Sequence, residues 1–247
     1  VSEERIRESY KEIKEFVRGT VAENAPIIPV SAQKKINIDA VLEAIQEVIP
    51  TPKRDPNLNP KMLVVRSFDV NKPGTEIKDL KGGVIGGALL QGKFKVGDEI
   101  EIRPGIKINE KWKEIRTKIV GLHKAGKSLE EAGPGGLLGV MTELDPSLTK
   151  ADSLTGSVVG FPGKLPPVLN ELRLKVEIFE KSLAIVVGEP LLINIGTART
   201  LGIVRSYKKG IVEVDLKLPI CAEKGEKAVL SKRVKESWRL LGYGVIE

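Results

Sequence analysis

Residues able to bind or react are few in this chain, and their spacing narrows the chemistry. Pro29-Val30-Ser31-Ala32 stands where a short apolar run would emerge from a sheet into a loop, and small side chains there let backbone amides approach a flat base ring. The same four residues equally make a plain turn. No phosphate loop of the G-x-x-x-x-G-K-[ST] kind and no Asn-Lys-x-Asp base reader accompanies them, so no GTP or ATP chemistry is expected from this chain by itself. Lys81-Gly-Gly-Val-Ile-Gly-Gly-Ala-Leu-Leu-Gln-Gly92 brings five glycines into twelve positions without the spacing of a phosphate loop. It reads as a strand with close backbone approaches, or as a bulged barrel strand. Arg233, Lys235 and Arg239 gather positive charge beside Trp238. They suit either RNA phosphates or a solvated rim, with Trp238 and Tyr243 expected in the core or between domains.

Other catalytic chemistry is poorly supplied. One cysteine, Cys221, and one histidine, His123, exclude an internal disulfide and leave almost nothing for a zinc site or a catalytic triad. Glu143 and Asp145 are near each other in sequence, but Asp145-Pro-Ser reads as a turn. No apolar run approaches the ~18 residues of a membrane helix, and the acidic amphipathic start is not a signal peptide, so a cytoplasmic location without membrane contact is expected. The net charge of +7 is weighted to the rear: 9 basic against 10 acidic residues in 1–60, 16 against 13 in 61–162, and 15 against 10 in 163–247. That bias fits a nucleic-acid-facing rear portion and a solubilising surface equally.

The elements that position these residues follow from periodicity. Ile6, Tyr10, Ile13, Phe16 and Val17 predict a helix over 3–18 with Ser2 at its cap. A buried strand over Ile27–Val30 follows, then a helix capped by Asn37 and stopped by Pro50. Such a helix, strand and helix read as the end of an α/β domain, because one strand makes no sheet. Four prolines in residues 50–60 mark a connector. Beyond it, short segments punctuated by glycine and proline predict strands at 62–68, 84–90, 99–102, 115–122, 137–140 and 157–161. After Phe161-Pro-Gly-Lys-Leu-Pro-Pro167 a second series is predicted at 172–179, 191–195, 200–206, 211–216, 227–230 and 238–245. The expected fold is therefore mainly β: two consecutive antiparallel barrels at 61–165 and 166–247, preceded by an α/β fragment at 1–50 and a linker at 51–60.

Longer motifs carry a resemblance. RSFDVNKPGT at 66–75, LKGGVIGG at 80–87, QGKFKVGDEIEIRPG at 91–105, GPGGLLGVMTELDPSLTKADSLTGSVVG at 133–160, NIGTART at 194–200 and WRLLGYG at 238–244 together resemble the gamma subunit of archaeal and eukaryotic translation initiation factor two. The likeness covers nearly the whole chain. It implies a GTPase domain followed by two β-barrels, GTP and magnesium as cofactors of the intact protein, and delivery of methionylated initiator tRNA to the small ribosomal subunit. It also implies alpha and beta partner subunits.

Residues 1–50 match only the last helix, strand and helix of that GTPase domain, so the chain alone is expected to be inactive. The resemblance places Ser31 and Ala32 at the guanine base. Lys81, Gly82 and Gly83 fall on the turn facing the GTPase domain and the aminoacyl end of tRNA, and Arg233, Lys235 and Arg239 near its phosphates. The hairpin at Lys107–Trp112 and the connection at 180–190 are shorter than the family's usual ones. The competing expectation is a structural fragment that docks partner subunits without appreciable tRNA or GTP binding.

Overall fold

The computed structural model describes residues 2–179 and 183–247. They form two compact units, one ending at Lys53 and one spanning Arg54–Glu247.

In the first unit, α1 (Glu3–Val17) starts at Ser2, whose hydroxyl oxygen accepts from the Arg5 N–H at 3.4 Å. Glu3 and Glu4 lie in its first turn, where the helix dipole favours negative charge. α2 covers Ile38–Val48. Asn37 occupies its N-cap position without capping it: the residue is left-handed at φ 58°, and its amide donates to the Pro29 carbonyl at 2.8 Å. Ile27–Val30 forms no strand, which corrects the sequence expectation. A strand needs a hydrogen-bonded neighbour, and among the described residues the sole bridge of this unit joins Ser31 to Ile36. Neither helix buries a side chain, and Phe16 is 86% exposed.

The second unit begins with β1 (Lys61–Phe68), β2 (Val84–Gln91), β3 (Phe94–Lys95), β4 (Glu99–Ile108), β5 (Lys111–Lys124), β6 (Lys127–Leu129), β7 (Glu131–Ala132), β8 (Leu137–Thr142) and β9 (Val158–Gly160). Six of these close a barrel in the order β4-β9-β1-β2-β8-β5, with β5 returning to β4. β6 extends β5 as a hairpin arm, and β3 pairs with β7. A second closed barrel, β10-β13-β12-β11-β14-β15, is built from β10 (Val168–Ile178), β11 (Pro190–Ile195), β12 (Ala198–Lys208), β13 (Ile211–Cys221), β14 (Lys227–Val234) and β15 (Ser237–Ile246). The two-barrel, mainly β fold is the expected one.

Alternation fills each interior. Met62, Val64, Ile85, Leu89, Ile100 and Ile102 point into the first barrel, and Leu172, Leu174, Val212, Val214 and Leu230 into the second. Closure leaves the main strands without open edges.

The barrels are joined by polar contacts around the 161–167 linker. Glu101, fully buried, takes the Arg103 Nε at 2.5 Å and the Gly163 N–H at 3.3 Å. Arg103 also donates through Nη1 to the carbonyls of Leu165 and Pro166, at 3.1 and 2.9 Å. Lys61 Nζ reaches across to Glu223 and Glu226 at 2.7 and 2.6 Å. Burial pushes the Cys221 thiol up to about 12, and its sulfur lies 3.3 Å from the Pro166 carbonyl oxygen.

Candidate nucleic-acid interface

Strand pairing gathers one end of the second barrel. Lys175 on β10 pairs with Ile211 at the start of β13, and Ile178 pairs with Gly242 on β15. Pro190 and Leu191, at the start of β11, pair with Ile203 and Lys232. The β12–β13 and β14–β15 turns therefore both lie at the barrel end reached by the last residues of β10. The opposite end carries Glu223 and Glu226, the partners of Lys61.

The first turn is Lys209-Gly210, with φ 50° and 76°, the paired left-handed backbone of a tight hairpin. The second contains Lys235 at φ 54°. Lys208 and Lys209 thus join Arg233, Lys235 and Arg239, and all five side chains are exposed. Among the described residues none of the five enters an ion pair. Lys232 is different: its Nζ lies 2.7 Å from Glu189 Oε2, a close charge contact without hydrogen-bond alignment, and donates to the Ala184 carbonyl at 2.8 Å.

The three sequence-derived cations share a hairpin but not a face. Arg233 pairs across with Trp238 on the outer surface, whereas Arg239 pairs with Lys232, on the face that Leu230 turns inward. Lys208 and Lys209 are absent from the sequence reading, although a Lys-Lys-Gly turn between two alternating segments was the signal for them. Trp238 and Tyr243, expected in the core or between domains, lie half-buried on the outer face of the barrel, outside its core.

The turn at Lys81–Gly83 lies on the first barrel. Asn71 accepts from the Lys81 N–H at 2.8 Å through its side-chain oxygen and donates to the Lys81 carbonyl at 2.7 Å. Asp69 in turn accepts from the Asn71 N–H at 2.8 Å and its amide at 2.7 Å, so its carboxyl is held below the usual range, first by the backbone N–H. Lys81 is exposed, and its neighbour Leu80 and its partner Asn71 line an open cavity of about 610 Å³ with Phe68, Asp69, Pro73 and Lys150, among others.

Gly82 and Gly83 serve internal packing. A Cβ on Gly82 would sit 1.8 Å from the Thr142 carbonyl oxygen, and one on Gly83 2.4 Å from the Thr149 side chain. Asp69 and Asn71 were missed by the sequence reading, though Asp-x-Asn is the spacing of an Asx turn.

Ser31 and Ala32 begin a tight turn in the first unit. The Ser31 N–H donates to the Ile36 carbonyl at 3.3 Å. Ala32 is exposed, and among the described residues its N–H meets no acceptor.

A phosphate-loop spacing does occur elsewhere, at Gly121-Leu-His-Lys-Ala-Gly-Lys-Ser128, and the sequence reading passed over it. Its structure removes the chemistry. The segment is the β5–β6 hairpin, turning at Ala125 (φ 49°) and Gly126 (φ 76°), and a three-residue strand follows where a phosphate site needs a helix N-terminus. His123 is exposed there beside Ser128, and Asp145 accepts from the Ser147 N–H at 2.8 Å in the expected turn. Among the described residues no His, Cys, Asp and Glu cluster could hold a metal ion, and no helix is long and apolar enough to cross a membrane.

Comparison with known proteins agrees with this architecture. The family model "Initiation factor eIF2 gamma, C terminal" matches residues 171–246, and "Elongation factor Tu domain 2" matches residues 82–160. Translation initiation factor 2 subunit gamma of Methanocaldococcus jannaschii is 55% identical over all of this chain, and that of Pyrococcus horikoshii 54%. The chain spans 63% of the length of each.

Among solved structures, a bacterial selenocysteine-specific elongation factor superposes over all of this chain and 38% of its own, with a TM-score of 0.77 at 21% identity. The elongation factor SelB of Methanococcus maripaludis, solved with a GTP analogue, does so over all of this chain and 56% of its own, at 0.78 and 17%. The likeness to these two is one of fold. With its two barrels and its level of identity to these initiation factors, the chain is homologous over its whole length to the gamma subunit of archaeal translation initiation factor 2.

Proposed function

We propose that this chain is the tRNA- and protein-docking part of an initiation factor two gamma subunit. In that reading residues 1–50 are the C-terminal piece of the GTPase domain, 51–60 the linker, and 61–165 and 166–247 the second and third domains. The complete factor binds GTP with magnesium, carries methionylated initiator tRNA to the small ribosomal subunit and assembles with alpha and beta subunits in the cytoplasm.

The residues present suit the base of the nucleotide and no more of it: the Ala32 amide is available to a purine carbonyl, while the chain supplies neither a phosphate cradle nor a metal cluster among its described residues. Bound GTP would supply the hydrolysable phosphate that switches the factor between states. This chain's own contribution is positioning. Asn71 fixes the backbone of Lys81 from both sides and itself lines the open cavity.

The observation that carries the reading is the gathering of Lys208, Lys209, Arg233, Lys235 and Arg239 at one barrel end, without ion-pair partners among the described residues. Phosphate neutralisation by such side chains is sequence-independent and salt-dependent. Reversing Arg233, Lys235 and Arg239 in the complete factor should weaken initiator tRNA binding and flatten its salt dependence by about one unit of log–log slope per lost contact. Unchanged affinity and slope would reject the assignment and leave a protein-docking scaffold with a solubilising rim.

A further inference from the structure

Aromatic residues make up only 4% of this chain, two Trp, three Tyr and five Phe, yet three of them share the outer face of the second barrel. Tyr243 lies in register with Val229 on one side and Glu177 on the other, Leu240 with Ser231, and Trp238 with Arg233. Phe179 continues β10 by donating its N–H to the Leu241 carbonyl at 2.9 Å, and its ring centroid is 5.8 Å from that of Tyr243. Phe179 is 57% exposed, Leu240 53% and Val229 42%. In a chain this poor in aromatics, rings placed outside a closed barrel contribute little to its core.

Charge decides what suits the strip. Lys227 Nζ stands 5.2 Å from the Tyr243 ring centroid, and Arg233 flanks Trp238 at the other end. Among the described residues neither cation enters an ion pair. The neighbouring carboxylate, Glu177, is engaged by the Tyr243 hydroxyl at 2.6 Å. Phe179 and Tyr243 meet across neighbouring strands and Trp238 stands five residues before Tyr243 on β15, all with cations at their margins; exposed rings flanked by positive charge match the demands of splayed nucleotides, flat surfaces for bases and cations for phosphates. A duplex hides its base faces and would use the cations alone.

We propose that the outer face of β10, β15 and β14 binds unpaired RNA, with Phe179, Tyr243 and Trp238 stacking on bases and Lys227 and Arg233 meeting phosphates. This rests on the RNA reading above and specifies the kind of RNA.

The test uses the whole chain carrying Trp112→Phe, which leaves Trp238 as its single tryptophan. It is titrated with a short oligouridylate and with a blunt RNA duplex of equal length. Stacking should quench Trp238 with the oligouridylate, which should bind more tightly than the duplex. Phe179→Ala, at an exposed position, should weaken oligouridylate binding by roughly five- to a hundredfold while the thermal transition stays in place.

Equal binding of the duplex without quenching overturns the proposal, as does no binding of either RNA. Tighter binding of an acidic glutamate–tyrosine copolymer than of oligouridylate assigns the face to a protein and also overturns it. If charge reversal at Arg233, Lys235 and Arg239 lowers initiator tRNA affinity while Trp238 stays unquenched, the function proposed above stands and this inference falls. If tRNA affinity is unmoved by that reversal but quenching persists, the reverse holds.

Discussion

Glu101→Ala tests whether one buried carboxylate fixes the junction of the barrels. Glu101 is fully buried, and Arg103, its nearest partner, has only 22% of its side chain exposed, so removal of the carboxylate strands a largely buried guanidinium. Breaking such a pair costs about 3–5 kcal/mol; residual access of Arg103 to water places this one near the lower figure. Arg116, 3.3 Å from the other carboxylate oxygen, is 57% exposed and adds well under about 1 kcal/mol.

A loss of about 3 kcal/mol corresponds to a fall in Tm of roughly 6–12 °C for a unit of this size. Glu101→Gln keeps an acceptor for Arg103 and should recover part of it. Denaturant unfolding gives the energy. Limited proteolysis locates it, because Gly163, Leu165 and Pro166 are the groups that Glu101 and Arg103 hold. Cleavage should rise within 161–167 before either barrel is cut. An alanine variant within about 0.5 kcal/mol of the parent, with an equally resistant linker, would refute the reasoning.

Gly82→Ala should destabilise the first barrel by more than about 2 kcal/mol, because its new methyl collides with backbone at Thr142; a neutral melt would show that the turn relaxes freely. Cys221→Ala should remove an alkaline loss of stability. The folded thiol stays protonated up to about 12 while the unfolded one ionises from about 9, so the parent loses about 1.4 kcal/mol per pH unit across that window relative to the variant, and parallel curves would refute the burial. Residues 54–247 should melt cooperatively without the first unit, whose two helices bury no side chain; a protease-sensitive product would overturn that separation. Labelled GTP should show no saturable micromolar binding to the 247-residue chain, and Lys127→Ala should change nothing, since its phosphate-loop spacing is spent on a hairpin.

The barrels were legible because closed antiparallel sheets write themselves into local pattern. All twelve strands expected from alternation and turn residues are present, several longer than expected because hairpin ladders run past the apolar stretch into Lys111-Trp-Lys113 or Lys232-Arg233. Short pieces such as Phe94–Lys95 and Glu131–Ala132 are too brief to show a period. Ile27–Val30 was misread because a strand is a property of its neighbours as well as of its own residues.

The candidate sites were less legible for the same reason. Nothing in the spacing of Lys208 and Arg233 shows that two hairpins share a barrel end, and nothing local shows that Asn71 clasps Lys81 ten residues on. The connection at 180–182, part of the segment expected to be short, lies outside the described residues. Gly121–Ser128 shows the opposite failure: a motif by spacing that its backbone cannot use.

The order β10-β13-β12-β11-β14-β15 closes by joining the first strand of its barrel to the last, Leu174 to Ile246. During synthesis the second barrel is therefore an open sheet until the C-terminal strand is free of the ribosome, with the edges of β10 and β14 both unpaired and able to template association with other chains. Its folding waits on β15, and a nascent chain halted before Ser237 would carry the cationic hairpin of β12 and β13 on a structure that cannot close.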